Sequence, residues 1–192
     1  MPIAVIFDLD GTLTVPVLDF DAIRAEVGLG PGPILEAMSG MSEAQRARVE
    51  EVLDRHERQA ALGSVLQEGT ADTIAALRRC GCKTAVLTRN VRRWARVVLD
   101  QHGLEMDALR GRDDGAVKPS AEPVLALLEQ LGCAPNESWM VGDYLFDIQA
   151  GREAGCTTVL MLGDKPIPAY ADQADRVIRR LPELLELIGN SE

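Results

Sequence analysis

Two aspartates one residue apart, Asp8 and Asp10, close the apolar run Ala4-Val5-Ile6-Phe7, and Gly11 and Thr12 come directly after them. Carboxylates beside a sheet core are costly unless they pair with a cation or hold a metal. The carboxyl ends of strands in open α/β sheets are also where ligands bind. If residues 4–7 form a buried strand, the chemistry of this chain starts at residue 8, with Gly11 permitting a sharp turn between the acids and Thr12. Taken alone, the same residues describe a turn with two solvated carboxylates. Other elements must decide between the two readings.

Strand-like apolar runs lie at 3–7, 83–87, 138–141 and 156–162, with amphipathic segments of helical period between most of them. This alternation predicts a parallel sheet covered by helices. Gly81, Gly103, Gly132 and Gly155 sit where helices should stop. Ser120 is a fair cap for a helix carrying Val124, Leu125, Leu127, Leu128 and Leu131. Arg176-Val177-Ile178 reads as a short edge strand, followed by a helix opened by Pro182. From Asp19 to Glu68 the alternation lapses: there is no strand-like run, and helical patterning flanks Gly30-Pro31-Gly32-Pro33. Ser42 with Gln45 resembles a capping box, and Val49, Val52, Leu53, His56 and Ala60 then form one stripe at helical spacing. Residues 19–68 are therefore expected to be an inserted helical lobe, and 1–18 with 69–192 the core.

With these elements in place, Asp8-Leu9-Asp10-Gly11-Thr12 resembles the first motif of the haloacid dehalogenase-like hydrolases. Three further motifs come later in that family's order: Thr88 after Thr84-Ala85-Val86-Leu87, Lys118 in Val117-Lys118-Pro119, and Gly142-Asp143 with Asp147 after Trp139-Met140-Val141. The resemblance spans residues 3 to about 180 and is nearest to phosphoglycolate phosphatase-like members with a small helical cap. It implies an α/β fold, a Rossmann-like parallel sheet sandwiched by helices, with the cap inserted after the first strand. It also implies a Mg²⁺-dependent phosphatase working on a small phosphorylated metabolite.

By the same resemblance Asp8 is the nucleophile that forms an aspartyl-phosphate, and Asp10 protonates the leaving oxygen and then deprotonates the attacking water. Thr88 and Lys118 hold the phosphoryl oxygens, assisted by the N–H groups of Leu9 and Arg89. Asp8, the main-chain carbonyl of Asp10 and Asp143 hold Mg²⁺, an ion that takes oxygen ligands. Asp147, Gly142 and Thr12 support them, Asp147 by orienting metal waters or Lys118. The acid at position 10 argues for ester chemistry, since dehalogenases of the family lack it. A sugar phosphomutase keeps both aspartates and stays open. A signalling receiver domain also uses an Asp, a Thr, a Lys and acidic ligands, but phosphorylates an Asp on a middle strand rather than on the first.

The 192 residues carry a formal net charge of −10, which disfavours a nucleic-acid or anionic-membrane partner. No stretch approaches a spanning helix, and the N-terminus lacks the basic and apolar regions of a signal peptide. The expectation is a soluble cytoplasmic protein, a monomer or weak homodimer, with Cys80, Cys82, Cys133 and Cys156 as free thiols. Arg92, Arg93 and Arg96 read as a solvated helix face, whereas Arg89, next to Thr88, is placed to reach substrate beyond its phosphate. His56, Trp94 and Trp139 read as packing residues. Tyr144 stands where many relatives carry a small polar residue.

Overall fold

A strand with no exposed face must be covered from both sides, and every residue of 4–7 is fully buried. The computed structural model, which describes residues 2–189, meets this demand with a six-stranded sheet between two helical layers. The strands are β1 (Ala4–Phe7), β2 (Lys83–Leu87), β3 (Ala108–Arg110), β4 (Ser138–Gly142), β5 (Thr157–Met161) and β6 (Arg176–Ile178). All pairings are parallel, in the order β3-β2-β1-β4-β5-β6, which puts β1 inside the sheet. Its Phe7 stands level with Val86 of β2 and Val141 of β4. The residues just beyond these three positions therefore leave the sheet at one edge, which brings chain segments far apart in sequence to one place.

Alternation along β1 assigns its residues to opposite faces. Val5 and Phe7 join a core with α4 (Thr70–Arg79), α5 (Arg92–Gln101) and α8 (Glu183–Gly189). Ala4 and Ile6 join one with α6 (Glu122–Leu131) and α7 (Leu145–Ala154). Between β1 and α4 the chain is helical: α1 (Phe20–Val27), α2 (Ile34–Ala37) and α3 (Glu43–Leu62). These three enclose an apolar cluster of their own, with Ile23, Ile34, Met38, Val49, Val52 and Leu53. Among the described residues no helix is long and apolar enough to cross a membrane.

Most expected elements are present, with some corrections. The edge strand at 176–178 forms, and Gly132 and Gly155 close α6 and α7. The Ser42–Gln45 capping box opens α3. The other edge strand, β3, was not expected, because Ala108-Leu109-Arg110 has no β-branched residue, whereas β6 has Val177 and Ile178. Helix α6 starts at Glu122, and Ser120 serves it from one position further out, its Oγ accepting the Glu122 N–H at 3.1 Å. His56 is half-buried and packs by a polar contact, its Nε2 3.0 Å from the Glu26 carboxylate of α1. Trp94 packs on the core and donates to Asp54 at 2.6 Å, and Arg92, Arg93 and Arg96 are exposed.

Leu127 is fully buried between α6 and the sheet. Leu127→Ala is expected to cost about 2–5 kcal/mol through lost burial and the cavity left behind. A chemical denaturation midpoint within error of the parent would refute this placement.

Candidate active site

Strand β1 ends by handing its next main-chain N–H, that of Asp8, to the Val141 carbonyl at 2.9 Å. This ties the first acid to β4. The turn beyond is tight. Gly11 has φ +87°, and a Cβ there would lie 2.2 Å from Oδ2 of Asp143, so only glycine lets the chain pass that carboxylate. A second glycine plays the same part on β4. A Cβ on Gly142 would fall 2.1 Å from Cγ of Asp147. The two acids of the fourth motif therefore approach the first over bare backbone.

Lys118 lies between them, 2% exposed, and all three of its ammonium protons are used. Nζ donates to Asp8 Oδ1 at 2.5 Å, Asp147 Oδ1 at 2.6 Å and the Leu87 carbonyl at 2.8 Å. Asp147 is fixed in turn by accepting the Tyr144 N–H at 3.0 Å. Asp143 pairs with Lys165, which is half-exposed. Carboxylate oxygens of Asp8, Asp143 and Asp147 all lie within 4.8 Å of one another. The structure thus brings together Asp8, Asp143, Asp147 and Lys118, residues separated by up to 139 positions.

The loop after β2 supplies the rest. Thr88 is buried, its N–H donating to the Arg110 carbonyl at 3.1 Å. It does not cap α5, whose cap position is Val91. Its Oγ1 instead accepts the Asn90 N–H at 3.1 Å, and the Asn90 amide donates to Asp10 Oδ2 at 2.6 Å. Among the described residues the Leu9 and Arg89 N–H groups donate to no protein acceptor. Thr12 Oγ1 is buried without a partner. The Arg89 side chain turns toward α2, pairing with Glu36 at 2.7 and 2.8 Å, and it lies over the Phe146 ring with its central carbon 4.8 Å from the centroid.

Sequence reasoning missed Asn90, Lys165 and Glu57. Asn90 was within reach of it, being two residues after Thr88 in the same loop. Glu57 is 3% exposed, accepts the Val91 N–H at 2.9 Å and pairs with Arg112, tying α3 to the loop that bears Thr88 and Asn90. Its spacing from Leu53 and Ala60 is that of an inward face, a signal masked by the charged residue type.

Burial raises the pKa values of three of these acids, Asp8, Asp10 and Asp143. It pushes Asp10 up to about 6, with Asn90 opposing and Asp143 assisting. For Asp8 burial again dominates, Lys118 opposes it, and Asp147 and Asp143 add to it. Asp143 is raised by burial and by Asp147. Burial works against charge on Lys118, but Asp147 and Asp8 outweigh it and hold the ammonium above the ordinary lysine range. Five carboxylates (Asp8, Asp10, Glu57, Asp143 and Asp147) face four cations (Arg24, Arg89, Lys118 and Lys165) around a cavity of about 590 Å³. Acids this crowded resist ionising together, and an oxygen-only donor set fits a hard divalent cation.

The sequence model of a family described as haloacid dehalogenase-like hydrolase matches residues 19–155. The N-acetylmuramic acid 6-phosphate phosphatase of Pseudomonas aeruginosa is 32% identical over 216 residues, covering 98% of this chain and 95% of that protein. The phosphoglycolate phosphatase of Rhodospirillum rubrum is 30% identical over 192 residues, covering 84% and 80%. A solved hydrolase structure from Pseudomonas syringae matches with a TM-score of 0.82 at 23% identity over 98% of both chains, a likeness of fold.

Glu57 yields a test of this electrostatic picture. Burial, against the pull of Arg112, raises its carboxyl from 4.5 to about 7. Between those values the folded chain holds a proton that the unfolded chain has lost, so stability falls as pH rises through the window. Glu57→Gln does not titrate there. Urea denaturation from pH 5 to 8 is expected to show the variant gaining on the parent by on the order of 2–3 kcal/mol. A difference that does not change with pH would contradict the raised value.

Proposed function

The chain belongs to the haloacid dehalogenase-like hydrolases and is a phosphatase among them, and we propose that it cleaves a small phosphorylated metabolite through a covalent intermediate on Asp8 with Mg²⁺. The observation that carries this reading is the convergence of Asp8, Asp143 and Asp147 at one sheet edge, with buried Lys118 bonded to Asp8 and Asp147. The activities in the two relatives' names, removal of phosphate from a sugar phosphate and from phosphoglycolate, support the reaction class.

In this reading Mg²⁺ is held by Asp8, Asp143 and the main-chain carbonyl of Asp10, and when bound it offsets the negative charge of both acids and phosphoryl group. Lys118 and the Thr88 hydroxyl hold the phosphoryl oxygens, with the unengaged Leu9 and Arg89 N–H groups as further donors. An Asp8 carboxylate oxygen bonds to phosphorus while the ester P–O bond breaks, and Asp10 gives its proton to the departing alkoxide. Its carboxyl, raised to about 6, keeps a protonated fraction near neutrality. Water then bonds to phosphorus, Asp10 takes back a proton, and the bond to Asp8 breaks to release inorganic phosphate. Asn90 keeps Asp10 aimed through both steps by holding Oδ2.

Residues 19–68 act as a cap over a core of 1–18 and 69–192, moving to admit substrate and exclude bulk water. The working form is a cytoplasmic monomer or weak homodimer, a reading supported by the acidic charge and free thiols.

Asp8→Asn is expected to abolish turnover of p-nitrophenyl phosphate while the circular dichroism spectrum stays that of the parent. Retained turnover would remove Asp8 from the nucleophile role. The parent assayed after EDTA treatment is expected to lose activity and regain it with added Mg²⁺. Undiminished activity in EDTA would refute the metal requirement.

A further inference from the structure

Beyond the acids the cavity changes character. Its apolar lining is supplied by Phe20, Ile34, Leu35 and Leu53 on the helical lobe, and by Tyr144 and Phe146 at the head of α7. Phe20 and Tyr144 are large side chains yet stay 49% and 51% exposed beside a cavity they line. Open aromatic surface lining a cleft, supplied by both lobe and core, is a place for a flat apolar group.

Charge points the same way. Among the described residues each cation lining the cavity already has a carboxylate partner: Lys118 with Asp8 and Asp147, Lys165 with Asp143, Arg89 with Glu36, Arg24 with Asp21. A phosphorylated acid such as phosphoglycolate brings a carboxylate as well as a phosphate. A second anion would have to compete with one of these carboxylates for its cation, whereas a ring competes with none of them. A ring needs no cation, and about 590 Å³ is far more room than a two-carbon acid fills.

Resting on the phosphatase reading above, we propose that the substrate is a phosphate monoester whose alcohol carries an apolar or aromatic ring. The phosphoryl group sits by Lys118 and the ring between Phe20 of the lobe and Tyr144 of the core. Apolar contact with Phe20, Tyr144 and Leu35 gives the ring its affinity, so the preference is expressed mainly in KM.

The test uses the full chain with Mg²⁺ and three monoesters of primary alcohols: 2-phenylethyl phosphate, ethyl phosphate and 2-phosphoglycolate. The first two share a leaving-group type and differ by the ring. The expected result is a kcat/KM for 2-phenylethyl phosphate about tenfold or more above those of the other two. Phe20→Ala and Tyr144→Ala, at half-exposed positions that do not hold the fold, are expected to reduce the phenylethyl-to-ethyl ratio severalfold each. Equal kcat/KM for the phenylethyl and ethyl esters, a preference for phosphoglycolate, or an unchanged ratio in both variants would overturn the ring subsite while leaving the phosphatase reading intact. Hydrolysis of none of the three, nor of p-nitrophenyl phosphate, would overturn both.

Discussion

One buried ammonium organises this molecule. Lys118 reaches the carboxyl edge of the sheet and directs its three protons to Asp8, Asp147 and the end of β2. Two carboxylates brought this close would drive each other toward the neutral form, and a cation left alone at this depth would lose its proton. Each makes the other's burial tolerable. Such a pair is weak support for stability, since replacing buried ions with apolar groups often costs nothing. Its retention is better explained by what it positions: an acid with one oxygen held, next to a second acid, Asp143, whose countercharge is a half-exposed lysine.

The sheet makes that arrangement possible. Because β1 lies inside the order, with β2 and β4 on either side in matched register, the chain leaves the core at three adjacent points of one edge. The glycines at 11 and 142 then remove the atoms that would keep the acids apart. Helix α3 contributes from the other side through Glu57, which fixes the loop bearing Thr88 and Asn90. Sheet, loop and lobe thus act on the same small volume.

What was legible in the chain was local. Asp8, Asp10 and Gly142-Asp143 each stand at the end of an apolar run, so strand, turn and acid could be read together. The helical nature of 20–62 was legible too, from its capping box and its stripe. Strand β3 was not, because its pairing to β2 gives a three-residue segment a structure that its own pattern does not demand. Nor were Glu57 and Lys165, whose roles arise when distant segments meet. A glutamate on a helix reads as solvated unless its partner is known, and Arg112 lies 55 residues away.

The strap between core and lobe ties the molecule's response to its medium. Arg89 joins Glu36 of α2 in an ion pair near the surface, and the same guanidinium lies over Phe146. Electrolyte weakens attractions of this kind, since the screening distance falls to about 8 Å at physiological ionic strength. An outward movement of α2 would have to part that pair, a contact that added salt weakens.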